Sequence, residues 1–120
     1  MDVIQVTTAV SSQDDARRIA GAMVERGLAA CAQVSGPVDS VYRWQGQIEA
    51  AAEWVCTLKT TARNYDQVEQ LILELHPYEV PQVIATPVIG GSSTYLQWLA
   101  DNLIDAADEA DSTTSDDAEA

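Results

Sequence analysis

The residue types able to do chemistry are few in this chain. His76 is its only histidine, Lys59 its only lysine, and Cys31 and Cys56 its only cysteines. A neutral imidazole binds copper or zinc well, so His76 is the candidate metal ligand. The competing role is a cap on a helix C-terminus, where an imidazolium meets the negative end of the helix dipole. One imidazole alone makes no tight site. Cys31, Glu53, Glu79 or groups from a neighbouring subunit would have to complete it.

Cys31 lies in Leu28-Ala29-Ala30-Cys31-Ala32. Such small neighbours fit a packed core, and a reactive thiol would need a nearby cation to lower its pKa. Lys59 either carries its ammonium to the rim of a strand or pairs with a carboxylate such as Glu53. The chain has no Phe, so Tyr42, Trp44, Trp54, Tyr78, Tyr95 and Trp98 must supply the large core and interface side chains. Gathered at a subunit junction with Lys59, Glu53 and His76, these rings would line a ligand pocket. The run Gly90-Gly91-Ser92-Ser93-Thr94 opens a helix and could hold a phosphate on free amides. It lacks the lysine of a P-loop, and a turn with a cap is the favoured reading.

With one His and two Cys, a structural zinc site is short of ligands. A catalytic triad finds no Gly-x-Ser-x-Gly elbow and no diagnostic carboxylate pair. The sequence therefore reads as a binding protein and not an enzyme.

The elements that must position these residues follow from pattern. Val3 to Thr7 is a first strand. Ser12 with Asp15 fits a capping box, and Ala16, Ile19, Ala20, Met23 and Val24 form one apolar stripe of a helix that Gly27 ends. Leu28 to Val34 and Val38 to Trp44 form a strand with a bulge at Pro37, and Ile48 to Thr60 returns as its hairpin partner. Thr61 to Leu75 is a second helix, stopped at His76-Pro77. Val83 to Ile89 is a fourth strand. A third helix carries Tyr95, Leu96, Trp98, Leu99 and Leu103. The fold class is α+β: a ferredoxin-like βαββαβ sheet with an additional C-terminal helix. Strands 1 and 3 lie in the middle, strands 4 and 2 outside, and the helices on one face. The uncovered face and the long strand edges call for self-association.

Composition bounds the rest. The 120 residues hold 19 acidic and 6 basic side chains, for a net charge of -13. This acidity argues against a nucleic-acid partner, which needs clustered Lys and Arg. No apolar run approaches the length of a membrane span, and no basic leader precedes the first strand, so a cytoplasmic protein without a membrane partner is expected. Residues 101–120 carry 8 of the acids and no base. A domain over 1–105 and a disordered acidic tail over 106–120 are expected. The Lys-poor, acidic surface resembles proteins of salt-adapted microbes.

Several motifs together resemble the CutA family of divalent-cation tolerance proteins. They are Leu28-Ala29-Ala30-Cys31, Ser40-Val41-Tyr42-Arg43-Trp44-Gln45-Gly46-Gln47-Ile48-Glu49, Glu53, Lys59-Thr60, His76-Pro77-Tyr78-Glu79-Val80-Pro81 and Tyr95-Leu96-Gln97-Trp98-Leu99. The resemblance implies a cytoplasmic homotrimer whose long strands pair across subunits, concerned with divalent metal ions and in some members with copper. It implies an intersubunit pocket lined by Cys31, Glu53, Lys59, His76, Tyr78 and Trp98, with His76 in the proposed metal region. Thr8 stands where some members carry a Cys proposed as a copper ligand, and Leu75 where some carry a second His. Without those ligands, binding of divalent ions by carboxylates would be weak and unspecific. The architecture is also similar to the trimeric PII signalling proteins, which makes a small-molecule-binding trimer the alternative. A trimeric scaffold for a protein partner is a further one.

Overall fold

The structure, a computed structural model, describes residues 2–106. The chain opens with β1 (Val3–Val10) and α1 (Gln13–Glu25), followed by the hairpin of β2 (Cys31–Trp44) and β3 (Gln47–Thr61). A single 3-10 turn, Ala62–Asn64, leads into α2 (Tyr65–Leu75), then β4 (Ile84–Pro87) and α3 (Ser93–Asp101). The strands form one sheet in the order β2-β3-β1-β4, and every neighbouring pair is antiparallel. This is the expected α+β order, with β1 and β3 central.

Local chemistry sets the boundaries. The Ser12 hydroxyl accepts from the Asp15 N–H and starts α1. Gly27, at φ +71°, turns the chain out of it in a conformation that a Cβ disfavours. A side chain there would also meet Ile104 Cγ2 at 2.9 Å. At the hairpin tip Gln45 and Gly46 both take positive φ, the signature of a tight primed turn. The expected bulge lies between Ser35 and Val38, where the β2–β3 register shifts.

Alternation along β3 separates two faces. Cys56 and Leu58 join Val6 and Val10 of β1 beneath Ala16, Ile19 and Met23 of α1 and Val68, Leu71 and Ile72 of α2. Fully burying a side chain such as Leu58 or Ile72 contributes about 1.5–3 kcal/mol. Glu53, Val55, Thr57 and Lys59 point to the other face.

Some expectations are corrected. The helices do not all lie on one face: Leu99 of α3 packs with Val3 and Ala30, apart from the α1–α2 core, so α3 covers one end of the second face. That second face also carries Gln5, Thr7, Thr57 and Lys59 of the central strands, which makes it more polar than an uncovered apolar sheet. Val24 is exposed, because the stripe of α1 centres on Ala16, Ile19 and Met23. The second helix begins at Tyr65, not Thr61, because the β1–β3 ladder runs on to the Val3–Thr61 pair. The fourth strand shrinks to an edge strand ending at Pro87. Ala106 is buried in the α1–α2 core. The proposed acidic tail from 107 onward lies outside the described residues.

Candidate functional site

The sequence-predicted pocket residues fall into two groups within one chain. The first gathers at the C-terminal end of α2. His76 caps that helix, its N–H bonding to the Ile72 carbonyl. Pro77 then directs the chain outward, and Tyr78 folds back over the ring. The His76 and Tyr78 rings meet edge-on, centroids 4.6 Å apart. The Tyr78 N–H donates to His76 Nδ1 at 3.1 Å, and His76 Nε2 lies 2.8 Å from the Ala9 carbonyl. The Tyr78 hydroxyl donates to Glu53 Oε2 at 2.8 Å. Glu53 and His76 are almost fully buried, at 9% and 8% exposure.

This network fixes the electrostatics. Burial, with the hydrogen bond and negative charge of Glu53 next, pushes the Tyr78 phenol up to about 12. Tyr78 is therefore a donor and stays neutral at any ordinary pH.

Beside this group lies an open cavity of about 750 Å³, between the projecting part of the β2–β3 hairpin and residues 78–82. Tyr42, Trp44 and Tyr78 give it aromatic walls, and Glu53, Glu79 and Arg43 give it charge. Its size and mixed lining suit a small organic molecule with polar groups.

The second group lies at the other end of β3. Cys31 and Lys59 are cross-strand partners. The Lys59 ammonium sits over the Tyr95 ring, 5.6 Å from its centroid, and Tyr95 stacks on Trp98. Of the two roles open to Lys59, pairing with Glu53 does not occur: the two stand six residues apart on one strand, about 20 Å. The cation is held by the aromatic face instead. Tyr95 makes that contact, and Trp98 stacks behind it. Ser92 is the N-cap of α3, its hydroxyl accepting from the Tyr95 N–H, so this end of the glycine-serine run is a turn and cap.

The metal reading meets a specific obstacle. The described residues contain no cluster of three or more His, Cys, Asp or Glu side chains placed to hold a metal ion. The thiols stand on opposite faces of the sheet: Cys31 shares a face with Lys59, while Cys56 is sealed in the α1–α2 core. Burial pushes the Cys56 thiol up to about 11, so it is not a thiolate. Both ring nitrogens of His76 are already hydrogen-bonded within the chain. These residues do not fit a copper centre built by one chain.

Sequence reasoning missed Asn64 and Ala9. The Ala9 contribution is a backbone carbonyl, which no side-chain pattern reveals. Asn64 stands where a helix cap belongs, yet its side chain makes no capping bond. Its amide donates to the Ile104 carbonyl at 2.9 Å and accepts from the Ala106 N–H at 3.0 Å.

Comparison with known proteins gives a consistent result. The profile of the family described as CutA1 divalent ion tolerance protein matches residues 4–102. The divalent-cation tolerance protein CutA of Thermus thermophilus is 39% identical over 101 residues, 84% of this chain and 96% of that protein. A chloroplastic CutA protein of Oryza sativa is 35% identical over 80% of this chain, which spans only 54% of the rice protein. Among solved structures, CutA1 from the psychrotrophic bacterium Shewanella sp. SIB1 superposes with a TM-score of 0.81 at 44% identity, covering 84% of this chain and 94% of that one.

Proposed function

Because the chain belongs to the CutA1 divalent ion tolerance family, we propose that it is a homotrimeric binding protein of the divalent-ion response, working without chemical turnover. The carrying observation is the projecting hairpin. Val41 and Ile48 near its tip are 71% and 70% exposed, and Tyr42, Trp44 and Val38 beside them are exposed as well. Apolar side chains exposed on both faces of a hairpin are what chain association removes from water. A second copy would also bring the Glu53–His76–Tyr78 end of one chain toward the Lys59–Tyr95 end of another, completing a pocket that one chain leaves divided. Copper enters this reading as a weakly held ion on exposed carboxylates. The free cysteines, Cys31 and Cys56, suit a reducing cytoplasm, and the net charge of -13 suits a salt-rich one.

Light scattering on the eluting full chain tests the assembly. Three chains at native salt are expected, and a monomer at both low and high salt overturns it. Calorimetric titration with copper tests the ion: weak, multiple binding is expected, and a single tight site per chain contradicts it.

A second reading is supported by the 750 Å³ cavity and its aromatic walls. It is a small-molecule trimer in the manner of the PII proteins. A thermal-shift screen of metabolites and nucleotides decides between the two: stabilisation by one compound class, lost in Glu53→Gln, favours the second.

A further inference from the structure

We infer that His76 is a positioning residue and not a metal ligand: its imidazole pins the end of β1 to the backbone of Tyr78 and so holds the Tyr78 phenol against Glu53 at the cavity wall. The inference goes beyond the trimer reading and holds whatever fills the cavity.

The two bonds determine the proton. A backbone N–H can only donate, so Nδ1, which meets the Tyr78 N–H at 3.1 Å, carries a lone pair. A backbone carbonyl can only accept, so Nε2, 2.8 Å from the Ala9 oxygen, carries the hydrogen. The ring is the neutral Nε2–H tautomer with both nitrogens used. A metal at Nδ1 must displace the Tyr78 N–H. A metal at Nε2 must expel the proton and leave the Ala9 carbonyl without its donor. Each route leaves a polar backbone group unpaired beside a ring that is 8% exposed. No compensating co-ligands stand by, since Glu53 Oε2 accepts from Tyr78 and no cluster of metal-ligating side chains occurs among the described residues.

The same contacts explain what the ring does instead. Tyr78 is held by its N–H on Nδ1, by its ring edge-on to the imidazole, and by its hydroxyl on Glu53. Two of these three belong to His76. Its Nε2–H ties this unit to Ala9, next to the last residue of β1. Losing the ring releases residue 78 and with it the hydroxyl that occupies one Glu53 oxygen.

The test uses the full-length protein uniformly labelled with nitrogen-15. As the only histidine, His76 gives its ring signals without ambiguity. Long-range proton–nitrogen spectra are expected to show the neutral Nε2–H tautomer, unchanged by one equivalent of zinc per chain. An Nδ1–H tautomer, or movement of either ring nitrogen on adding that zinc, overturns the proposal. Copper electron paramagnetic resonance is expected to be the same for wild type and His76→Gln, and nitrogen coupling present only in wild type overturns it. For positioning, His76→Gln keeps a donor for Ala9 but no equivalent acceptor for the Tyr78 N–H. The Tyr78 amide should then exchange with deuterium about tenfold faster, while Val6 and Leu58 keep their protection. Unchanged exchange at Tyr78 refutes the positioning role. If His76→Gln does not fold, the wild-type tautomer and zinc response decide.

Discussion

β2 and β3 run through two different worlds. Over residues 54–60, β3 alternates between a sealed face and a half-covered one, and Cys56, Leu58 and Thr60 are fully buried. Over residues 47–50 the same strand, paired with the same partner, is exposed at every position. The β2–β3 ladder runs in both regions, interrupted between them by the bulge at Ser35–Val38 opposite Trp54. What differs is whether anything lies above the sheet. A ladder aligns strands, but packing by α1 and α2 makes a core, and the projecting hairpin has neither helix over it. Its exposed apolar side chains are what the proposed association would cover, with other chains supplying the missing layer.

This contrast can be broken at several points. In the body, Leu58→Ala should destabilise the chain by about 2–5 kcal/mol, because it leaves a cavity beneath α1 and α2. Urea denaturation followed by circular dichroism measures it, and a loss no greater than that of a surface change would dissolve the distinction. Next in size, Asn64→Ala removes the donor to Ile104 and the acceptor for Ala106. A loss of about 1–3 kcal/mol is expected in the same assay.

The pH dependence is smaller and has a definite sign. Burial raises Cys56 from 9.0 to about 11, and burial with Glu53 raises Tyr78 from 10.0 to about 12. In the unfolded chain both groups lose their protons earlier than in the folded one. Stability is therefore intact below pH 9.0 and declines as pH rises toward 12. Tyr78→Phe should make the decline above pH 10.0 shallower and leave the part that Cys56 contributes up to about 11. An identical alkaline limb in that variant would show that the Tyr78–Glu53 bond does not contribute.

The smallest change to the folded chain is expected in the projecting hairpin. Val41→Glu should leave the far-ultraviolet spectrum as it is and reduce the scattering mass from three chains to one. Loss of secondary structure instead would mean that the hairpin belongs to the chain's own core.

Much of this was legible in the residues themselves. Ser12, Asp15 and Gly27 marked the first helix because capping and left-handed turns depend on local chemistry. The central position of β1 and β3 followed from the order of elements. The buried members of α1, Ala16, Ile19 and Met23, followed from helical spacing. What escaped was set by tertiary placement. Lys59 was read toward the strand rim or a carboxylate such as Glu53, yet only the docking of α3 across the second face puts Tyr95 beneath its ammonium. His76 read as a ligand or a cap. The bond that decides its tautomer goes to a main-chain carbonyl 67 residues away. Asn64 drew no notice at all, because nothing local indicates that its amide reaches residues 104 and 106.

That last reach has a practical consequence for anyone handling the protein. Ile104 bonds to the Gly27 carbonyl, Asn64 holds residues 104 and 106, and Ala106 enters the core. The chain is thus riveted down at the Thr61 end of β3, whereas the hairpin tip lies fourteen residues along that strand, about 45 Å away. A tag, fluorophore or surface tether attached after Ala106 departs from the end opposite the projecting hairpin, the proposed association surface, and leaves it clear. A fusion cut back to Asp101 forfeits the rivet, and its loss of stability should not be blamed on the cargo.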